Sequence, residues 1–422
     1  MNKKIVFGAL TLAIVAMSCS VNEMEDINIT SSEAIALNPS TAVTRASITY
    51  LSTLQSDANG FVVYAENGAS PSVWNDDIKG LNNHVFANGK WNFSPKVQWP
   101  ANAADYPMTF FAYYPQMPND VITSVSATHP DVELNVTVPS DQSEQLDVLA
   151  GQNTANSKPA SSVLSMNFQH ILSKVFFSVS NSYKGSANTT QNAYVLAIGF
   201  NQLFNTNTYE VRTNLWGTPA NTLEEYNYYN EFADLFGTSN TYTEMVFNSA
   251  TQAKFYTGTT FDASYLMLLP QSPTAWNTSG NPTDVVAPSA TEAYVRMWYR
   301  VEETSPANDD FIGYKSAKTH PDYAGSATET AGYEGPLYVL VGYSYNSTWI
   351  AGKGYQYDIP VPGTTGGRLL NKYYYDEQGH LTDLEVEYID VPEVILPDDD
   401  DIHLNPIITD WDNNTNVNVI EQ

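Results

Sequence analysis

The 422-residue sequence is poor in cysteine and in basic side chains. Its single Cys, Cys19, excludes a disulfide framework and any metal site built from several thiolates. The 18 Lys and Arg stand against 46 Asp and Glu, which gives a formal net charge of −28. Because phosphate backbones and anionic lipid surfaces attract clustered Lys and Arg, this charge argues against binding nucleic acid and against direct docking on a membrane.

Sequence signatures of catalysis are also missing. The six His form no H-E-x-x-H pattern, and there is no nucleophile elbow, P-loop or dinucleotide glycine motif. His170 lies among apolar residues, which favours a hydrogen-bonded structural role over a ligand role. Residues 398–401 are four Asp whose side chains diverge, which favours a solvated linker over a Ca²⁺ site. We therefore expect no enzyme activity and no cofactor.

What the sequence does contain is 42% apolar and 13% aromatic residues, enough to bury a large core. Helical periodicity is scarce, and residues 223–236 are the one stretch that could be helical, or else a lid or loop. Asn88-Gly89 is a hairpin signal. We expect strands at 61–64, 90–93, 108–114, 132–138, 164–168, 174–180, 194–200, 265–269, 293–301, 337–343, 354–359 and 384–389. Many short strands separated by turns indicate β-sandwiches or barrels.

The N-terminus has the pattern of an export signal. Residues 5–17 form an apolar run after Lys3 and Lys4 that is too short to span a membrane, which needs about 20 residues. Residues 16–19, Ala-Met-Ser-Cys, resemble a bacterial lipobox, in which the Cys thiol is acylated and becomes the new N-terminus. We predict a signal peptide over residues 1–18 and lipidation at Cys19, with contact to the membrane only through the lipid. An ordinary secreted protein is the alternative.

Residues 19–45 look like a tether that can also form strands. Ile27 and Ile29 alternate with other residues, as do Ile35 and Leu37. Arg45, in the sequence Thr-Arg-Ala, is the only Arg before Arg212. A lone Arg in an otherwise uncharged, flexible stretch is a good site for an arginine-specific protease, with an incidental linker residue as the plainer interpretation.

Four segments occur in a characteristic order: the lipobox followed by residues 44–46, residues 89–100 (GKWNFSPKVQWP), residues 108–115 (MTFFAYYP) and residues 166–175 (MNFQHILSKV). Residues 268–271 (LLPQ) also fit. Together they resemble the fimbrillin family of Gram-negative surface lipoproteins, the subunits of type V pili. The aromatic segments also have a plain interpretation as core strands.

The resemblance implies two tandem transthyretin-like β-sandwich domains, here residues 46–185 and 186–422. It implies an outer-membrane lipoprotein that an arginine-specific protease cuts between Arg45 and Ala46, which removes the first strand together with the lipid. A strand of another pilus subunit then fills the emptied groove, and the product is a cell-surface fimbria. The resemblance leaves open whether the chain is a shaft, tip or accessory subunit.

The physics of β-sheets supports such an exchange. Open backbone groups at a sheet edge invite pairing, and a partner strand satisfies them in a head-to-tail contact that propagates. The candidate groove-filling residues before the cut are Ile27, Ile29, Ile35 and Leu37. The candidate donor residues in the C-terminal tail are Val417, Val419 and Ile420, which could instead form a last intramolecular strand.

The alternative function is a glycan-binding surface lipoprotein with exposed aromatic platforms, so a host glycan or host protein is a further candidate partner. The candidate platforms are Trp216, Trp276, Trp298 and Trp349, with Tyr226, Tyr228 and Tyr229 as one cluster beside Trp216. The plainer interpretation buries these aromatics in cores or interfaces. Cleavage at Arg45 discriminates between the two functions, because a glycan binder has no use for it.

Overall fold

The computed structural model of the chain describes residues 36–41, 61–67, 79–80, 84–87, 90–93, 97–117, 119–128, 131–181, 190–220, 223–229, 245–247, 253–254, 265–277, 288–305, 310–314, 337–345, 348–361, 367–375, 381–383 and 407–410. Within these residues the secondary structure is β-strand, with two short 3₁₀ turns at Ala103–Asp105 and Gln142–Glu144 and no α-helix. The predicted all-β class is confirmed.

The strands are numbered along the chain. From the N-terminus they are β1 (Ala36–Thr41), β2 (Val62–Asn67), β3 (Lys79–Gly80), β4 (His84–Ala87), β5 (Lys90–Phe93), β6 (Met108–Tyr114), β7 (Ile122–Thr128), β8 (Asp131–Thr137), β9 (Leu149–Ala155), β10 (Val163–His170), β11 (Ser173–Asn181), β12 (Thr190–Phe204) and β13 (Thr206–Glu210). They continue as β14 (Leu215–Trp216), β15 (Leu223–Tyr229), β16 (Met245–Phe247), β17 (Ala253–Lys254), β18 (Leu266–Leu268), β19 (Thr274–Ala275), β20 (Glu292–Ser305), β21 (Asp310–Tyr314), β22 (Leu337–Tyr343), β23 (Lys353–Val361), β24 (Gly367–Tyr375), β25 (Leu381–Asp383) and β26 (Ile407–Asp410).

Two sheets are formed mainly by the N-terminal strands. One has the order β3-β2-β6-β9-β10-β1-β5-β4, and the other the order β14-β13-β8-β7. In the β4–β5 hairpin, Ala87 pairs with Lys90 across the predicted Asn88-Gly89 turn. β6 is buried on both faces, and the apolar side chains of β8 alternate inward, as its sequence period predicts.

The eight-stranded sheet curls. β2 and β5 stand near opposite ends of its strand order, yet the rings of Phe61, just before β2, and Trp91 of β5 meet edge to face with centroids 5.3 Å apart. Alternate residues of β2 and β6 belong to two different hydrophobic clusters. Val63 and Phe110 lie in the cluster on one side of the sheet, and Val62 and Phe111 lie in the cluster on the other. The sheet therefore carries an apolar core on both faces, because side chains alternate along each strand.

The C-terminal strands form a nine-stranded sheet, whose main path is β15-β12-β20-β22-β24-β25, and a five-stranded sheet, whose main path is β17-β11-β23-β26. These two sheets meet through aromatic rings: Phe177 of β11 and Tyr357 of β23 contact Phe200 of β12, at 5.1 and 5.8 Å between centroids. β11 is buried along its whole length, as expected of a strand covered on both faces.

Strand pairing crosses the predicted division at residue 185 in both directions. β11 precedes this position and pairs parallel with β23, while β13 follows it and pairs antiparallel with β8. The two-domain division and the transthyretin-like topology stay predictions.

Residues 223–229 correct one expectation, because they form β15 rather than a helix. β15 pairs antiparallel with β12. Its Tyr226 and Tyr228 are buried, Asn227 between them is half-buried, and Glu225 before them is exposed. The buried tyrosines stand two residues apart, which is the period of a strand, and the neighbouring sheet provides the backbone partners. Residues 230–236 and the expected strand at 384–389 lie outside the described residues.

Candidate functional site

The strand before Arg45 lies inside a sheet. β1 pairs parallel with β10 over all its residues, from Ala36 with Val163 to Thr41 with Phe168, and antiparallel with β5 at Ala36 and Leu37. The N–H of Ala36 also donates to the carbonyl of Ser162 at 3.1 Å. β1 thus has backbone partners on both sides, and β5 joins the rest of the eight-stranded sheet through it.

Leu37 anchors this strand in a hydrophobic core. Its side chain is 0% exposed, and it belongs to a cluster that also contains Phe61, Trp91, Met166 and Phe168. Full burial of a leucine side chain contributes about 1.5 to 3 kcal/mol. Removal of β1 would therefore leave an apolar groove flanked by two unpaired strand edges, one from β10 and one from β5.

Pro39 fits in this interior strand because the described pairing of β1 with β5 ends before it. Because the N–H of Ala36 points towards β10, alternation directs the backbone nitrogens of residues 37 and 39 towards the β5 side. Among the described residues the pairing with β5 covers Ala36 and Leu37 and does not reach Pro39, so no ladder hydrogen bond of the described part of the chain is lost there. Within the described residues, the second half of β1 pairs with β10 alone.

Most of the predicted site residues lie outside the described residues. These are Cys19, Ile27, Ile29, Ile35, Arg45 and Ala46 before β1 or just after it, and Val417, Val419 and Ile420 after β26, together with residues 398–401. Their roles stay predictions. The last described strand, β26, pairs antiparallel with β23 at an edge of the five-stranded sheet.

The expectation of exposed aromatic platforms is wrong for three of the four tryptophans. Trp276, Trp298 and Trp349 are buried in the core. Trp216 is half-buried, and its indole N–H donates to the carbonyl of Ile171 at 3.1 Å. The wide apolar surface of each ring is more stable inside the sheets than in water, which is why large aromatics in a β-protein are core residues first.

The tyrosine cluster predicted beside Trp216 is also wrong as an exposed platform. Tyr226 and Tyr228 are buried, and the Tyr226 hydroxyl donates to the carbonyl of Val138 at 3.1 Å. The side chain of Tyr229 lies outside the described residues.

His170 has the structural role that its neighbours predict. It is buried at the end of β10, and its Nδ1 lies 2.8 Å from Oδ2 of Asp147. The ring is therefore held by a carboxylate within the fold.

Sequence reasoning missed a charged cluster that joins the two N-terminal sheets. Arg212, just after β13, forms an ion pair with Glu66 of β2, and its Nε lies 3.2 Å from Oδ1 of Asp131 at the start of β8. Its guanidinium also lies 4.8 Å from the ring centre of Phe111. Glu66 is only 3% exposed, so the cluster places one nearly buried carboxylate beside one cation.

The carboxylates of this cluster outnumber the guanidinium. Burial and, to a smaller extent, the neighbouring Glu210 raise the pKa of Asp131 to about 6 against the opposing effect of Arg212. Side-chain hydrogen bonding with Thr213 and with Asp131 lowers the pKa of Glu210. Asp131 therefore keeps its proton nearer to neutral pH than an ordinary Asp, because the charged form is poorly solvated and repelled.

We expect this cluster to make the fold more stable at pH 5 than at pH 7.5. The pKa of Asp131 is about 3.9 in the unfolded chain and about 6 in the folded chain. The stability that this difference contributes is fully present below about pH 3.9 and is lost as the pH rises through about 6. The lowered pKa of Glu210 acts in the opposite direction, below about pH 4.5. Denaturant unfolding at both pH values, compared between the parent chain and Asp131→Asn, measures the effect.

Asp120→Asn, at an exposed position, is the matched control. It accounts for the general relief of charge repulsion that acidification brings to a chain of net charge −28. The expectation fails if Asp131→Asn keeps the full difference between pH 5 and pH 7.5.

The part of the chain that the structure describes contains no group of three His, Cys, Asp or Glu side chains arranged to hold a metal ion. Likewise, no helix within the described ranges is long and apolar enough to cross a membrane.

Comparison with known proteins gives one family match. The model of the fimbrillin-like family matches residues 44–369. No curated protein sequence shows significant similarity to the chain.

Among solved structures, a fimbrial protein from Bacteroides vulgatus is 14% identical, covers 78% of this chain and 95% of its own, and superposes with a TM-score of 0.49. A candidate cell adhesion protein from Bacteroides uniformis is 14% identical, with coverage of 80% and 96% and a TM-score of 0.36. One from Parabacteroides distasonis is 9% identical, with coverage of 89% and 94% and a TM-score of 0.40.

Proposed function

The chain belongs to the fimbrillin-like family, and we propose that it is a structural subunit of a type V fimbria that is exported as a lipoprotein, cut after Arg45 and assembled by strand exchange. The observation that carries the proposal is the position of β1. This strand lies between two others in the sheet interior, and it ends at Thr41, four positions before Arg45. The match to the family begins at residue 44, next to the same Arg.

The structure supports a cut that releases a whole strand of the sheet, β1, and not merely a loop. After cleavage at Arg45, only noncovalent contacts would hold β1: its ladders to β10 and β5 and the burial of Leu37. The lipid on Cys19 would leave with it, because both precede the cut. A protein that has lost β1 would expose an apolar groove, which explains why the strand stays in place until assembly.

The emptied groove sets requirements for the incoming strand. It would run parallel to β10 and antiparallel to β5, with an apolar side chain at the place of Leu37. It could carry a proline at the place of Pro39, because no described residue of β5 pairs with β1 there. Backbone pairing would provide the affinity, and the Leu37 pocket the selectivity.

The C-terminal tail is the proposed donor. β26 ends at Asp410 and belongs to the five-stranded sheet, whereas β1 belongs to the eight-stranded sheet. The tail after β26 therefore starts from a different sheet than the one that would accept the donor strand. Val417 and Val419 alternate with Asn416 and Asn418, as a strand with one buried face requires, and Ile420 follows directly. Donor and acceptor at separate places give a head-to-tail contact that propagates into a filament.

Digestion of the purified, lipid-free precursor with an arginine-specific protease tests this function. We expect one early cut after Arg45, loss of β1 by intact mass, and SDS-resistant ladders or filaments by electron microscopy. The matched control is Arg45→Lys, which keeps the charge but removes the recognised residue, so both the cut and the assembly should disappear.

A clean cut with stable monomers would assign the chain to a tip or accessory position that awaits another subunit's strand. A folded precursor that is not cut at Arg45, or one that is cut but retains β1 and never accepts a strand, would contradict the proposal.

A further inference from the structure

A cleft of about 420 Å³ opens beside β7, at the edge of the four-stranded sheet. It lies between β2 and β6 of the eight-stranded sheet, the loop after β6, and β7 itself. Its volume falls in the range of about 300 to 1,000 Å³ that small-molecule sites occupy.

One wall of the cleft is aromatic. The rings of Tyr64 and Tyr113 are stacked, with centroids 6.4 Å apart and planes 20° from parallel. Tyr113 is buried in the core, whereas Tyr64 is half-buried. The stack therefore holds a partly open ring in a fixed orientation, which reduces the entropy lost on binding.

Uncharged polar groups border the same cleft. The side-chain amide of Gln116 makes no hydrogen bond within the described part of the chain, so both its donor and its acceptor groups can meet a ligand. The hydroxyl oxygen of Ser124 accepts a hydrogen bond from Nδ2 of Asn135 at 2.8 Å, which leaves its proton available for donation.

We propose that this cleft binds a neutral sugar ring, such as one hexose unit of a glycan. A pyranose presents an apolar C–H face, which suits the face of Tyr64, and a rim of hydroxyls, which suits an amide and a hydroxyl. No charged side chain of the described residues lines the cleft, and the chain carries a net charge of −28, so acidic sugars are disfavoured.

This site is independent of strand exchange. Val62 and Tyr64 face the cleft, whereas Phe61 and Val63 on the opposite side of β2 belong to the cluster that holds Leu37. Loss of sugar binding would leave the cut at Arg45 unaffected, and the reverse also holds.

Saturation-transfer NMR on the full chain tests the proposal, with glucose, galactose, mannose, N-acetylglucosamine and their neutral oligosaccharides as probes and sialic acid as the acidic comparison. We expect saturation transfer to the ring protons of at least one neutral sugar. Tyr64→Ala should weaken its binding at least tenfold, Tyr64→Phe less, and Gln116→Ala several-fold. Leu215→Ala, at a 62% exposed position outside the cleft, should bind as the parent does.

Three results would overturn the proposal: no transfer to any neutral sugar, transfer that Tyr64→Ala leaves unchanged, or binding of sialic acid alone. Because Tyr64 packs against the core, the folded state of each variant is checked by its melting temperature. Tyr64→Phe and Gln116→Ala keep the test decisive if Tyr64→Ala does not fold.

Discussion

Replacing Arg212 with Ala is expected to lower the free energy of unfolding by about 3 kcal/mol. The reason is the burial of its partner: Glu66 is 3% exposed, and its charge loses the guanidinium that compensates it. Removal of one member of a buried ion pair typically costs about 3 to 5 kcal/mol, because the remaining charge stays out of water. We place the effect at the lower end, since the Arg212 side chain itself is 30% exposed.

Arg296→Ala is the matched control for this prediction. Arg296 pairs with Glu225, whose carboxylate is 51% exposed and remains solvated when the partner is removed. We expect this change to cost about 1 kcal/mol or less. Denaturant unfolding of both variants, and of Glu66→Gln combined with Arg212→Ala, measures the difference. The double variant should recover part of the loss. Equal costs for Arg212→Ala and Arg296→Ala would show that burial of Glu66 has no such consequence.

Leu37→Ala in the uncut chain is expected to lower the free energy of unfolding by about 3 kcal/mol. Leucine-to-alanine changes at fully buried sites cost about 2 to 5 kcal/mol, from the lost transfer energy and the cavity that remains. Leu37 is 0% exposed beside Phe61 and Trp91, and these rings are fixed by their own edge-to-face contact, which limits collapse around the cavity.

Two comparisons sharpen this prediction. Leu215→Ala makes the same substitution at a 62% exposed site and should cost well under 1 kcal/mol. The difference between Leu37→Ala and the parent should also vanish after cleavage at Arg45 and release of β1, since the two proteins are then identical. A difference that persists in the cut, β1-free products would mean that residue 37 acts elsewhere than in the groove.

The sequence predicted the local structure well where one pattern governs a segment. The inward alternation of β8, the double-sided burial of β6 and the Asn88-Gly89 hairpin all follow from side-chain period and turn chemistry over a few residues. The described aromatic residues of the segments at 89–100 and 108–115 are mostly core: Trp91, Phe93 and Trp99 are buried, and the indole N–H of Trp99 donates to the carbonyl of Ser162.

Sequence reasoning failed where the environment comes from distant parts of the chain. Residues 223–229 form a strand by pairing with β12, a partner that the segment itself does not reveal. Burial is the plainer interpretation of Trp276, Trp298 and Trp349, but the sheets that enclose them have to be known before a surface platform can be excluded. The cluster around Arg212 has no sequence signal, because its contact with Glu66 joins residues 146 positions apart.

By itself, the sequence determined the all-β class, the absence of recognisable catalytic motifs and the family, because strand periodicity and ordered motifs are properties of short segments. Only the tertiary structure decided that the strand before Arg45 lies between β10 and β5, that three of the four candidate tryptophan platforms are buried, and that Tyr64 and Tyr113 border a cleft. Each of these features depends on which strands become neighbours. That choice follows from the burial of apolar surface over the whole chain and not from any local preference.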